Sequence, residues 1–282
     1  MAIVLGIHAA FTARSHDSSC ALSIDGEVVF ASEEERLSRR KASIGYFPRL
    51  AVNAALRHAS LNMRDVDLVV IDGTTYPGLA QKVSRYLLHN FHACPEIVAI
   101  PHHVAHAAGA FLSTAMPDAL VVSADGLGDG LSTLVCEVSR GPSHLILDES
   151  YSAGWAESLG LFYSAFTQYL GFSTNDGEYK VMGMAAYGEP TIDFDDLLTF
   201  DSASGSLVPL EVHRLYDREY FSSIDEPYCR SDFIADFTGV QRPDGTSFTQ
   251  KHFDLAASVQ AHFSHCYLDL IGHYLQETSR KR

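Results

Sequence analysis

Cysteine is sparse and follows no pairing pattern: Cys20, Cys94, Cys136, Cys229 and Cys266 are scattered over 282 residues without a CxxC pair. An odd, dispersed set excludes a disulfide framework or zinc ribbon and fits a reducing cytoplasm. Positive charge is also scarce, with 20 Lys and Arg against 35 Asp and Glu and a formal net charge of −15. A field of that sign repels nucleic acid phosphates and anionic bilayers, so neither is expected as a partner. The one basic cluster, Arg36, Arg39, Arg40 and Lys41, follows directly on Glu33, Glu34 and Glu35 and is too local to change that. No long apolar run is present. Met1 to Ala10 is too short to span a bilayer and lacks the basic start and cleavage site of a signal peptide, so it reads as a buried strand.

What is present is a globular composition, 46% hydrophobic, in a length that allows one large domain or two modest ones. Ile3 to Ile7 reads as a strand, followed by a polar loop containing Arg14 to Ser19. Cys20 to Ile24 and Val28 to Phe30 flank Asp25-Gly26, a hairpin signal. Pro48 opens a helical pattern through Leu61. Asp67 to Ile71 reads as a strand, Leu79 to Phe91 as a helix and Ile97 to Ile100 as a strand. His102 to Leu112 is predicted helical, and Ala119 to Ala124 extended. That second strand breaks at Asp125-Gly126-Leu127-Gly128 before a partner from Ser132 to Glu137. Two hairpins feeding an alternating α/β segment predict an α/β protein with a ribonuclease H-like lobe, as in actin-like and sugar-kinase-like proteins. Between Thr191 and Gly245 the pattern loosens into acidic, turn-rich sequence. Leu255, Val259, Phe263, Cys266, Leu270 and Tyr274 then recur at spacings of three and four, as on an amphipathic helix running almost to Arg282. The expected organisation is a first actin-like lobe at 1–190 bearing the functional site, an insertion or linker at 191–248, and a helix at 249–282 leading into a second lobe represented only by that helix.

His102 and His106 are four apart, so on a helix their imidazoles lie one turn apart on one face and can reach a single metal ion. Spacing alone more often marks a hydrogen-bonded pair on a partly exposed helix. Three neighbours shift the weight: the pair starts directly after a strand and Pro101; Ala105, Ala107, Ala108 and Gly109 permit close approach; and Asp125 ends the next strand. Two imidazoles and a carboxylate with open positions suit Fe(II), with Zn(II) or Mn(II) as alternatives. His103 faces elsewhere and is expected to contact substrate or to pack.

The glycines of Asp125 to Gly130, among them Gly126 and Gly128, admit two readings. They let backbone N–H groups approach a phosphate, or they form an ordinary hairpin turn; the Lys-Ser/Thr ending of a Walker loop is absent. His16-Asp17 offers a general base with an orienting carboxylate, although a loop histidine alone is more often merely exposed. Arg36 to Lys41 binds anionic groups if folded over the site and is otherwise a solvated face. Gly177-Glu178-Tyr179-Lys180-Val181-Met182-Gly183 puts a Glu and a Lys two apart. If the segment is extended both point the same way, while spacing alone favours a surface turn with a salt bridge.

Together these segments resemble the O-carbamoyltransferases of the nodulation-factor and antibiotic-tailoring type. The matching stretches are His16 to Ser19, Glu34 to Arg39 with Lys41, His102 to Ala107, Ser158 to Ser164, Gly177 to Gly183 with Tyr187-Gly188, and Thr249 to His252 with Asp254 to Gln260. The resemblance implies an enzyme in which one domain makes carbamoyl adenylate from carbamoyl phosphate and ATP. An actin-like domain, to which this chain would belong, then passes the carbamoyl group to a hydroxyl of a small-molecule natural product. It further implies that His102, His106 and Asp125 are metal ligands and His16 the base, and that Lys41, Glu178 and Lys180 stand near the carbamoyl and phosphate groups. A fourth ligand and the adenosine-gripping glycines are expected from a C-terminal lobe or a second polypeptide, so the chain alone is expected to bind metal weakly and to turn over slowly or not at all. Two rival readings are a tRNA threonylcarbamoyl transferase, which shares the actin-like core and HxxxH site, and a non-catalytic scaffold half left by gene splitting. The acidic charge and the segments at 34–41 and 158–183 favour small-molecule carbamoylation over the first.

Overall fold

The computed structural model describes residues 1–11, 16–216, 229–245 and 247–278. Arg14 and Ser15 of the first loop, and positions 279–282 of the expected final helix, lie outside the described residues. The chain divides into two compact units, Met1–Ala105 and His106–Arg282.

The first unit is built on one five-stranded sheet. β1 (Ile3–His8), β2 (Ser19–Ile24) and β3 (Glu27–Glu33) form an antiparallel meander, and β4 (Leu68–Asp72) and β5 (Glu96–Ile100) continue it in parallel beyond β1, giving the order β3-β2-β1-β4-β5. This is the ribonuclease H-like arrangement that the hairpin and the alternating segment predict. Asp25 and Gly26 both take positive φ, as a two-residue hairpin with right-handed strand twist demands. Ile3, Leu5 and Ile7 of β1 point inward against α2 (Arg49–His58) and α3 (Leu79–Phe91), sharing a core with Val69, Ile71, Val52, Leu56, Val83 and Leu87.

The short helix α1 (Glu34–Ser38) explains part of the acidic run. Glu34 is buried, and its carboxylate accepts hydrogen bonds from the backbone N–H groups of Leu50 and Ala51 at 3.1 and 2.9 Å. It caps α2, whose own N-cap, Pro48, supplies no side-chain acceptor. Glu35 receives the Ala42 N–H at 2.7 Å, a bond that, aided by Lys41, holds its carboxyl below the usual range.

The division falls inside α4 (His102–Leu112), which packs through Ala107 and Phe111 on Val121, Leu134, Cys136 and Val138. Those last residues belong to a second antiparallel meander of β6 (Asp118–Gly128), β7 (Leu131–Arg140) and β8 (Leu145–Ala153). It repeats the β1–β3 motif and adds a third strand that the sequence pattern did not announce. α5 (Leu159–Tyr169) is apolar almost all round and correspondingly buried. α6 (Glu178–Ala185) and the 28-residue α8 (Gln250–Glu277) pack against it, and α7 (Ser231–Thr238) adds Phe233 and Ile234 to the same core.

The stretch 191–248 carries structure of its own. A hairpin of β9 (Leu198–Asp201) and β10 (Ser206–Pro209) and helix α7 lie within it, and Phe194, Leu197, Leu198 and Leu207 enter the core beside the acidic residues that mask them in sequence. On α8 the apolar stripe runs as expected, except that His262 takes the fully inward position and Phe263 is only partly buried, edge-on to Tyr163. Donation from His262 Nε2 to the Leu198 carbonyl at 2.7 Å makes that burial tolerable. Among the described residues no helix is long and apolar enough to cross a membrane.

Candidate metal centre

β1, β4 and β5 run parallel, and their C-terminal ends converge as the open edge of an α/β sheet does. His8 ends β1, Asp72 ends β4, and His102 lies two residues beyond Ile100, the register partner of Asp72. His8 Nδ1 stands 2.8 and 2.9 Å from the two Asp72 carboxylate oxygens, and His102 Nδ1 stands 3.0 Å from Oδ2. Burial alone would raise the Asp72 pKa, but the hydrogen bonds from His102 and His8 overcome it and hold the carboxyl well below its usual range. Burial works in the opposite sense on His8, and Asp72 together with the His16 carbonyl outweighs it, leaving the imidazole above its ordinary value.

His102 and His106 ride one turn apart on α4, as the spacing predicts. Asp125 lies on β6 where the ladder to β7 slips between Ala124 and Gly128, so the side chain leaves the regular pleat. One donor atom from each of His102, His106 and Asp125 lies within 4.8 Å of the others. His106 Nε2 and Asp125 Oδ2 are 3.8 Å apart and both side chains are substantially exposed. Two ligands at about 2.0–2.2 Å from one ion stand roughly 3 to 3.5 Å apart, so this pair is too far apart for a hydrogen bond and a few tenths of an ångström wider than a shared cation would hold it. The donor chemistry fits one divalent ion. The three donors are borne by one helix and by the strand on which that helix packs.

The Asp125 bulge is gripped from α5. Ser158, the buried N-cap of that helix, accepts from the Leu161 N–H at 3.0 Å and donates to the Gly126 carbonyl at 2.7 Å. Gly160 brings the helix so close that a Cβ there would lie 2.7 Å from the Asp125 carbonyl oxygen. Gly126 N–H donates to Asp125 Oδ1 at 2.6 Å, while Gly128 pairs with Leu131 and closes the hairpin.

In the first unit His16 Nδ1 and Asp17 Oδ2 are 2.7 Å apart, and the Asp17 N–H donates to the Ala42 carbonyl at 2.6 Å. That bond joins the His16 loop to the turn carrying Lys41, whose Nζ is 3.4 Å from Glu35. His103 is buried and sits edge-on to the His102 ring.

The Gly177 to Gly183 segment corrects an expectation. It is not extended: Gly177 caps α6, and Glu178 and Lys180, two apart on a helix, diverge to different faces. Glu178 Oε1 accepts from the Ser164 hydroxyl at 2.7 Å and from the Asn175 N–H at 3.0 Å, while Lys180 lies over the Phe172 and Tyr179 rings. Gly177 is packed against Phe172 and Thr167, whereas Gly183 has open space around it. Sequence reasoning missed Asp72 and His8, and it saw Ser158 and Gly160 only as part of a resemblance. The available signal was a polar residue closing each of two apolar strands.

Residues 4–91 and 77–280 match the family model described as carbamoyltransferase N-terminus. The chain is 31% identical to the uncharacterized protein sll1178 of Synechocystis sp., over 92% of this chain and 46% of that protein. It is 29% identical to the nodulation protein NolNO of Sinorhizobium fredii, over 95% of this chain and 39% of that one. It therefore spans less than half the length of either relative. Among solved structures, component A of the (R)-2-hydroxyglutaryl-CoA dehydratase of Acidaminococcus fermentans aligns at a TM-score of 0.45 and 14% identity, covering 100% of this chain and 81% of that one. With the family model running through both units, the chain belongs to the carbamoyltransferase N-terminus family.

Proposed function

We propose that this chain supplies the metal-holding part of a site that transfers a carbamoyl group from carbamoyl adenylate, made from carbamoyl phosphate and ATP, to a hydroxyl of a small-molecule natural product. The observation that carries this reading is the convergence of His102, His106 and Asp125 in a chain of this family. These residues would hold Fe(II) by preference, with Zn(II) or Mn(II) as substitutes. A bound divalent ion supplies positive charge that steadies oxygens of the donor as negative charge develops during attack.

The protein's own groups supply the rest. Asp17 accepts a hydrogen bond from the Nδ1–H of His16, which leaves Nε2 as the lone-pair nitrogen to accept the proton of the attacking hydroxyl. Lys41, held beside Glu35, adds a cation for donor oxygens. Gly126, Gly128 and Gly177 to Gly183, with Glu178 and Lys180, are the segments assigned to donor binding. Glu178 acts there by fixing the start of α6 rather than by pairing with Lys180. The relatives' greater length accommodates the remaining ligand and the adenosine-binding segments, which we assign to a further lobe or a second polypeptide. We place the protein in the cytoplasm.

Titration with Zn(II) and anaerobic Fe(II), monitored by calorimetry, tests the reading. We expect one ion per chain, with affinity lost in His106→Ala and Asp125→Ala. An assay of carbamoyl transfer from carbamoyl phosphate and ATP, run with and without the remainder of a full-length relative, should show turnover only with it. Wild-type protein that binds no divalent ion refutes the proposal.

A further inference from the structure

We propose that His8 and Asp72 are positioning residues that fix His102 as its Nδ1–H tautomer, so that Nε2 is the nitrogen offered to the metal, and that tie the His16 loop to the same carboxylate. The metal part of this inference rests on the proposed function; the hydrogen-bonded network does not.

The assignment follows from what each atom is able to do. A carboxylate only accepts, so the two nitrogens facing Asp72, Nδ1 of His8 and Nδ1 of His102, are both donors. The other nitrogen of His8 lies 2.9 Å from the His16 carbonyl oxygen, which also only accepts. His8 thus uses two N–H groups and fits its site as an imidazolium paired with the Asp72 anion, in keeping with a pKa above the ordinary histidine value. With that charge balanced, Asp72 orients His102 without leaving a bare anion in a setting where its side chain is only 16% exposed. A histidine whose Nδ1–H is held by a carboxylate presents a fixed and more basic Nε2, the arrangement by which carboxylates commonly tune imidazole ligands.

The same network sets the place of the base. His16 follows positions outside the described chain, and its backbone is fastened at its own carbonyl by His8 and at the next N–H by Ala42. Asp17 takes a positive φ of 58° there, a conformation that Asp tolerates better than most residues. One carboxylate therefore aligns the candidate ligand directly and the candidate base through His8. Neither His8 nor Asp72 needs to touch substrate.

The test begins without metal. Long-range ¹⁵N NMR of the imidazoles at pH 7 should show His8 protonated at both nitrogens and His102 protonated at Nδ1. Asp72→Asn should abolish the His102 preference, leave the circular dichroism spectrum unchanged, and weaken Zn(II) binding by about 10- to 100-fold. Asp72→Glu should restore part of that affinity. His102 found as the Nε2–H tautomer in the wild type, or Zn(II) binding unaltered in Asp72→Asn, overturns the proposal. If Asp72→Asn does not fold, the wild-type tautomer still decides. A wild type with the stated tautomers that binds no Zn(II) supports the network and refutes the metal reading instead.

Discussion

Gly160→Ala is the substitution that most directly links packing to the site. Gly160 lies in the first turn of α5, where alanine would ordinarily favour the helix by about 1 kcal/mol. Here the added methyl would stand 2.7 Å from the Asp125 carbonyl oxygen and 2.8 Å from both the Asp125 carbonyl carbon and the Gly126 nitrogen. The shortfall against an ordinary 3.4 Å contact is about 0.7 Å, and the obstructing atoms are backbone rather than a side chain that can swing aside. Overpacking of this kind costs roughly 1–3 kcal/mol. Separating the helix from the bulge also lengthens the Ser158 bond to the Gly126 carbonyl, a loss of about 1 kcal/mol. The helix gain offsets about one of these, leaving a net destabilisation of roughly 1–3 kcal/mol. In a chain of this size that is a fall in melting temperature of about 2–10 °C.

Stability is only half of the expectation. Because the methyl pushes on the backbone of Asp125 itself, Zn(II) affinity should fall about tenfold or more, even at temperatures where the variant is fully folded. Gly109→Ala on α4 is the control. A Cβ there meets nothing within 4 Å, so this variant should match or slightly exceed wild-type stability and bind Zn(II) normally. Scanning calorimetry and isothermal titration on the three proteins make the comparison. A Gly160→Ala protein with wild-type melting and wild-type Zn(II) affinity refutes the claim that α5 sets the position of Asp125.

Gly188→Ala should be harsher still, since its methyl would overlap the Phe253 backbone on α8, and a loss of about 3 kcal/mol or more should appear as poor soluble yield or a strongly lowered melting point. Glu34→Gln removes the charge from a carboxylate that caps α2 through two N–H groups, and chemical denaturation should register a loss of roughly 1–3 kcal/mol. Burial lowers the His262 pKa below 6.5, so the unfolded chain takes up a proton near pH 6.5 that the folded chain refuses. Its stabilising contribution is complete above that pH and is lost as pH falls toward the folded value; unfolding by urea at pH 7.5 and 5.5 should therefore show a steeper acid loss in wild type than in His262→Gln. Burial pushes the Cys20 thiol up to about 12 and those of Cys136 and Cys266 up to about 11, and Cys229 is buried as well. Iodoacetamide at pH 8 should accordingly label partly exposed Cys94 first in the native protein and all five cysteines once it is unfolded, as mass spectrometry would show.

Periodicity made the first unit legible because its elements are local and regular. The bounds expected for α3 and α4 match those observed, and the Asp25-Gly26 hairpin forms where its turn chemistry requires. The 191–248 stretch was harder to read, since Phe194 and Leu197 are interleaved with Asp193, Asp195 and Asp196, and composition averages the two faces away. Gly177 to Gly183 misled for a related reason. Two glycines bounding a charged run look like a turn, but one is the cap of α6 and the other stands on its exposed face.

The site shows a sharper limit. His102 and His106 were visible because a helix brings residues four apart together, and Asp125 because a glycine run marks a break in a strand. Asp72 and His8 left no such trace in local spacing: Asp72 lies 30 positions from His102 and His8 lies 64 from Asp72, and each pair meets only because parallel strands align their ends. Ser158 and Gly160, 33 and 35 positions beyond Asp125, are local to nothing in the site by sequence, yet they hold its backbone. The spacing of candidate ligands can be read from a helix alone, whereas the groups proposed to fix a tautomer and the packing that sets a carboxylate's position are products of the sheet and the close approach of α5. If the proposed chemistry holds, substitutions at Asp72 and Gly160 should therefore impair metal binding while leaving all three proposed donor residues in place.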